Sequence, residues 1–190
     1  MKNVVIIDNY DSFTYNLYQT VSSITGSKCL VFRNDQVGLK DILDLNPSHI
    51  IISPGPGHPA KKRDFGVSRE IFRSDLDIPV LGVCLGHQGL GFLKGAKVLH
   101  AKRIVHGKPS IIAHNGEYLF KGLPDEFEAG RYHSLAVYDP PSNLEVTAIA
   151  EDGEIMGIMD TENPYFGIQF HPESILTPLG PQILKNFIAL

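Results

Sequence analysis

Val80-Leu81-Gly82-Val83-Cys84-Leu85-Gly86-His87 is the stretch on which the reading of this chain turns. A short apolar run leads into Gly-x-Cys-x-Gly, and a segment with helical character follows. The run suits a strand buried on both faces. The whole pattern suits a strand–turn–helix elbow that presents a nucleophile, with cysteine where many such elbows carry serine. The tight turn forces the cysteine into an uncommon backbone conformation, and side chains two residues to either side would collide. Gly82 and Gly86 have none. The turn also sets Cys84 at a helix N-terminus, where free N–H groups and the helix dipole favour an anion and so the reactive thiolate. The Leu85 N–H then points towards the oxygen of a tetrahedral intermediate. Alone, the same residues equally describe a structural cysteine at a tight turn.

Outward from the elbow, the first half alternates strands and helices. Strands are expected at Val4–Ile7, Cys29–Phe32, Ile50–Ile52 and Pro79–Val83. Helices are expected from Ser12 to Ile24, at Leu39–Leu45, at Gly66–Arg73 and after Cys84. Phe13, Leu17, Val21 and Ile24 share one face of the first helix, which Asp11 or Ser12 is placed to cap. This order implies a parallel sheet with helices on both faces. The second half is β-rich, with runs at Ser110–Ala113, Leu135–Tyr138, Leu144–Ala150, Ile155–Met159 and Tyr165–Phe170, and a closing helix over Pro181–Ala189. The expectation is a single domain over residues 1–190: an open α/β sheet with a small antiparallel addition in its C-terminal half.

The 190 residues are 43% hydrophobic and 20% charged, with a net charge of −4. At that length folding buries roughly 70% of the chain's surface, enough for a core and an enclosed site. The apolar run at Val4–Ile7 is too short for a signal-peptide core or a membrane span. We expect a cytoplasmic protein with no membrane or nucleic-acid partner. The densest basic patch, Lys61-Lys62-Arg63, runs straight into Asp64 and reads as a solvated loop rather than a phosphate contact. Two distant cysteines do not make a disulfide framework. Cys29 reads as a small buried hydrophobe.

Gly167-Ile168-Gln169-Phe170-His171-Pro172-Glu173 is a strand that ends at a proline. Residues i and i+2 of an extended chain project to one side, and Pro172 biases His171 towards that shape. His171 and Glu173 are therefore paired, the carboxylate orienting the imidazole as in a cysteine–histidine–acid arrangement. Among the other histidines, His49 precedes an apolar strand, and His100, His106 and His114 fall in loop or edge stretches. His87 lies one turn past Cys84, but no second closely spaced pair completes a metal site. The loop Ser53-Pro54-Gly55-Pro56-Gly57-His58 leaves the carboxyl end of a strand, where open α/β sheets bind ligands. Gly57 N–H is a candidate second oxyanion donor, although a plain turn explains the same residues. A phosphate loop is disfavoured because the Gly-Lys-Ser/Thr ending is absent.

Together these stretches resemble the class I (triad) glutamine amidotransferases. The elbow from Gly82 to Gln88 is similar to that family's Gly-x-Cys-x-Gly-His-Gln. Phe170-His171-Pro172-Glu173 is similar to its histidine–glutamate motif. Ile7 to Thr14, Ser53 to Gly57, Arg131-Tyr132-His133-Ser134-Leu135 and His171 to Leu176 resemble the branch that serves chorismate-using synthases, either anthranilate synthase or aminodeoxychorismate (para-aminobenzoate) synthase. Asp64 to Val67 and His87 to Gly91 resemble the aminodeoxychorismate side more closely. The resemblance implies a flavodoxin-like sheet, with Cys84 as nucleophile, His171 as acid/base and Glu173 as orienter. It implies Gly57 and Leu85 as oxyanion donors, and glutamine held against Gly55, Pro56, Gly57, Gln88, Ser134 and Leu135. His58, where relatives often carry a small residue or cysteine, and Lys94-Gly95-Ala96, where many have paired glycines, depart from the pattern.

The chemistry so implied is attack of the Cys84 thiolate on the side-chain amide of L-glutamine. His171 then protonates the leaving ammonia, and water hydrolyses the thioester. No metal or organic cofactor is expected. Losing one oxyanion donor would raise the barrier by roughly 3 kcal/mol. Ammonia protonated in bulk water is no nucleophile, so a synthase partner is expected to receive it directly. The alternatives are a stand-alone γ-glutamyl cysteine hydrolase and a non-catalytic glutamine-binding module.

Overall fold

The computed structural model describes residues 2–103 and 107–190; the loop assignment of His106 lies outside them. In chain order the elements are β1 (Val4–Asp8), α1 (Thr14–Thr25), β2 (Leu30–Arg33), α2 (Leu39–Leu43), β3 (His49–Ile52), α3 (Lys62–Phe65), α4 (Ser68–Arg73), β4 (Val80–Val83) and α5 (Leu85–Leu93). There follow β5 (Lys97–His100), β6 (Lys108–His114), a 3-10 turn (Tyr118–Phe120), β7 (Glu126–Arg131), β8 (Leu135–Tyr138), β9 (Leu144–Ala150), β10 (Ile155–Asp160), β11 (Tyr165–Ile168) and α6 (Gly180–Ala189).

The main sheet runs β2-β1-β3-β4-β11-β10-β9-β6-β7. Its first five strands are parallel and its remaining pairings antiparallel. β5 and β8 form a separate antiparallel ladder. The parallel part has the flavodoxin-like strand order. The antiparallel strands continue the same sheet and are nearly as numerous, so this part is larger than a small addition.

Side-chain alternation explains the layers. Val4 and Ile6 of β1 face Leu17 and Val21 of α1 and Ile183, Leu184 and Phe187 of α6. Val5 and Ile7 face the other way, into the cluster of Ile71 and Phe72 of α4 and Leu85 and Leu90 of α5. Every residue of β3 and β4 is buried. Each fully buried aliphatic side chain contributes roughly 1.5–3 kcal/mol, which makes these strands the centre of the fold.

Several expectations need correction. β2 is not buried on both sides: it is the sheet edge, half-exposed, beginning at Leu30, with Cys29 buried just before it. Neither Asp11 nor Ser12 caps α1, which begins at Thr14 with Phe13 at the cap position and no side-chain cap bond. The Asp11 carboxylate instead accepts the Phe13 N–H at 2.8 Å. Phe13 leaves the core face to Leu17 and Val21. The segment read as a helix from Gly66 is broken there by Gly66 at φ 42°, where a β-carbon would meet the Asn34 carbonyl at 2.1 Å. The basic patch lies partly in α3 rather than in a loop, with Arg63 exposed beside Asp64. Lys94, one of the departures from the family pattern, reaches the buried Asp160 at 2.6 Å.

Candidate active site

The carboxyl ends of β1, β3, β4 and β11 converge on one edge of the parallel sheet, where this fold class places its ligand sites. Cys84 follows β4 directly at φ 53° and ψ −98°, a region that β-carbon-bearing residues rarely adopt. The elbow works as its glycines suggest. A β-carbon on Gly82 would stand 2.4 Å from the Gly86 carbonyl carbon, and one on Gly86 would stand 2.6 Å from the Ile52 carbonyl oxygen. The first intrahelical bond of α5 runs from Gln88 N–H to the Cys84 carbonyl. The N–H groups of Leu85, Gly86 and His87 are thus outside the helix ladder.

β11 pairs in register with β4, Ile168 opposite Val83, and carries the chain on to His171 beside the elbow. His171 is fixed through its backbone. Its N–H donates to the Gly130 carbonyl at 3.1 Å, and its carbonyl accepts the Thr177 hydroxyl at 2.6 Å. Its Nδ1 meets Glu173 Oε1 at 2.6 Å, with both side chains buried. Nδ1 therefore donates to Glu173, and Nε2 is the atom left to exchange a proton with the reacting groups. Nε2 is buried and makes no hydrogen bond of ordinary geometry; it lies against the Cys84 sulfur closely enough to feel its charge. Catalytic contacts are often this loose before substrate binds. Burial by itself lowers the imidazolium pKa, but Cys84 and Glu173 outweigh it and raise the value to about 10.

The glycine loop after β3 is held from two sides. Asn9 donates through its backbone N–H to Ser53 Oγ and through its side chain to the Ser53 carbonyl, both at 2.9 Å. Gly55 packs so tightly that a β-carbon would touch Asn9 at 2.6 Å and Leu85 at 2.9 Å. Gly57 has φ 93° and abuts the Asp64 carboxylate, which accepts the His58 N–H at 3.1 Å. The His58 ring turns back to the Ala60 N–H, leaving its backbone to follow the loop.

The sequence profile of the family "Glutamine amidotransferase class-I" matches residues 5–190. The chain belongs to the class-I glutamine amidotransferases. It is 50% identical to "Anthranilate synthase component 2" of Pyropia yezoensis over 97% of this chain and 98% of that one. It is 49% identical to "Bifunctional protein TrpGD" of Thermotoga maritima over 99% of this chain, but spans only 32% of that protein. It is 46% identical to "Aminodeoxychorismate synthase" of Streptomyces pristinaespiralis over 96% of this chain and 26% of that protein. These identities do not favour the aminodeoxychorismate side. In fold the chain matches a protein from Thermoplasma acidophilum assigned as a GMP synthase subunit, with a TM-score of 0.87 at 24% identity, covering 100% of this chain and 93% of that one.

In this class-I amidotransferase, Gln88 is buried. Both its amide protons are engaged, one with the Leu135 carbonyl at 3.0 Å and one with Gln169 Oε1 at 3.2 Å. Ser134 is exposed. His87 is fully buried, its pKa pushed down to about 3 by burial. It packs against Gly167, where a β-carbon would meet its Nδ1 at 2.9 Å. Among the described residues no group of three or more His, Cys, Asp or Glu side chains is placed to hold a metal ion. None of their helices is long and apolar enough to cross a membrane.

Three neighbours of the site escaped sequence reasoning. Gln169 Nε2 donates to the Cys84 sulfur at 3.6 Å. Phe13 and Tyr132 pack edge-on against the His171 ring at centroid distances of 5.5 and 5.0 Å. Gln169 sits two residues before His171, but β11 ends at Ile168, and nothing in that spacing names the sulfur as the partner of its amide.

The sign of the pH effect follows from His171. Its folded pKa lies above the unfolded value of about 6.5. Its contribution to stability is fully present below about pH 6.5 and is lost as pH rises towards about 10. An NMR titration of the ring should show this raised value, and Glu173→Gln should lower it by removing one of the two partners that raise it. An unchanged titration in that variant would mean Glu173 does not govern the imidazole.

Proposed function

We propose that residues 1–190 act as one cytoplasmic glutaminase unit. It hydrolyses L-glutamine and hands the ammonia to a chorismate-using synthase, of the anthranilate or the aminodeoxychorismate kind. The observation that carries this is the imidazole of His171, oriented by Glu173 at 2.6 Å and close enough to Cys84 for the sulfur to help raise its pKa.

Cys84, as thiolate, attacks the amide carbon of glutamine. The Leu85 N–H at the start of α5 and the Gly57 N–H receive the developing oxyanion. His171, with its raised pKa, holds a proton for the departing ammonia. Once neutral, it takes a proton from the water that cleaves the γ-glutamyl thioester and regenerates Cys84 and glutamate. Gly55, Pro56, Ser134 and Leu135 line the amino-acid end of the substrate. Gln88 offers its carbonyl oxygen there, since its N–H groups are already engaged.

A γ-diazoketone analogue of glutamine tests the assignment. Mass spectrometry should find one adduct per chain, on the Cys84 peptide and suppressed by excess glutamine. Adducts on Cys29 alone, or none, would overturn the role of Cys84.

A further inference from the structure

Arg131 has the largest fully buried side chain among the described residues, and its guanidinium is held on three sides. It donates to Asp152 Oδ2 at 2.8 Å, to Ser110 Oγ at 3.3 Å and to Glu154 Oε2. Glu154 is itself fixed, its other oxygen accepting the Lys102 N–H at 2.8 Å and the Tyr138 hydroxyl at 3.0 Å. A further donor, Arg131 Nε–H, meets His133 Nε2 at 3.1 Å.

A guanidinium has no acceptor, so this bond fixes the tautomer of His133, while the Leu135 carbonyl that His133 holds, which can only accept, fixes the direction of the bonds beyond it. His133 Nε2 must accept, which puts the ring proton on Nδ1. Nδ1 donates to the Leu135 carbonyl at 2.9 Å. That carbonyl also accepts one amide proton of Gln88, and the other goes to Gln169 Oε1. With its oxygen so occupied, Gln169 must present its NH2 group to the sulfur at 3.6 Å. The two orientations of a glutamine amide are nearly equal in shape, so only such a network separates them. Their electrostatic effects are opposite. An N–H aimed at sulfur favours the thiolate, and a carbonyl oxygen disfavours it.

We propose that Arg131 and His133 are positioning residues, which fix the Gln169 amide through the Leu135 carbonyl and Gln88 so that it donates to the Cys84 sulfur. This rests on the reading of Cys84 as nucleophile and extends it. The antiparallel half of the sheet, which supplies Arg131, then sets the state of a sulfur carried by the parallel half.

Two measurements test it. In the unaltered, 15N-labelled protein, long-range ring spectra should report His133 as the neutral Nδ1–H tautomer from about pH 6 to pH 8. A protonated ring or the Nε2–H tautomer overturns the relay without recourse to any variant. Second, alkylation of Cys84 by iodoacetamide at neutral pH is followed by peptide mass spectrometry. Gln169→Met and His133→Phe should each slow it about tenfold. His133→Gln, which restores an acceptor and a donor, should recover most of the rate, and the melting temperatures should stay close. If Gln169→Met slows the reaction and a folded His133→Phe does not, the relay fails while the nucleophile stands. If Cys84 of the unaltered protein reacts no faster than cysteine in an unfolded peptide and takes no diazoketone, the nucleophile assignment fails instead.

Discussion

Cys84→Ala protein is expected to fold normally, to lose glutamine hydrolysis by at least about a thousandfold, and to leave a partner synthase able to use ammonium salts. The three parts of this expectation have separate origins. Alanine keeps the β-carbon, so the strain at φ 53° is the same in variant and parent. The change removes one atom from a crowded site and should cost no more than about 1 kcal/mol. The covalent route vanishes with the sulfur, because no other nucleophile occupies the elbow. The synthase reaction survives because ammonia made elsewhere needs no thioester. Product formation with glutamine, compared with product formation at saturating ammonium, separates the two. A variant that still drove the synthase with glutamine would remove Cys84 from the chemistry.

Gly82→Ala is expected to destabilise the protein by roughly 3 kcal/mol and to abolish activity. The added methyl would stand 2.4 Å from the Gly86 carbonyl carbon, 2.5 Å from its oxygen and 2.8 Å from His87 N. All three are backbone atoms of α5, so no rotamer change relieves the clash. Only movement of the helix away from β4 does, and that carries Leu85 N–H away from the sulfur. For a chain of this size the melting temperature should fall by about 10 °C. Gly153→Ala is a useful control. Gly153, unlike Gly82, bears a positive φ, of 78°, but has nothing within 4 Å, so its cost should be confined to about 1 kcal/mol of backbone strain. A Gly82→Ala melting temperature within 2 °C of the parent, by calorimetry, would show that the elbow has room we do not see.

The parallel half of the fold was legible because burial on both faces leaves little choice of residue type. Ile50–Ile52 and Val80–Val83 read as strands and are strands. β5 and β7 were not legible. β5 exposes three of its four residues. β7 is the far edge of the sheet, with Glu126 and Glu128 exposed, a pattern that protects edges from further pairing but resembles a polar loop in sequence. His171 does meet Glu173, but not by the strand alternation expected: β11 ends at Ile168, and Pro172 and Glu173 lie in a turn closed by the Ser174 N–H on the His171 carbonyl. The packing of Phe13 over the imidazole was not legible: apolar periodicity gave Phe13 to the helix face, and its true start is fixed by Asp8 and Asp11 side chains bonding to nearby N–H and hydroxyl groups. Gln169 stayed invisible because a glutamine in a strand gives no local sign of what its amide will meet across 85 residues of chain.

Of all these strands, the latest to leave the ribosome is also the one that joins the two halves of the sheet. β11 is bonded to β4 on one side and β10 on the other, and the chain runs from it straight into His171. On the proposed assignment, nascent or misassembled forms that have not seated this strand hold a cysteine with no proton partner. Such forms do not drain the cell's nitrogen donor, so synthesis and quality control run without a futile reaction.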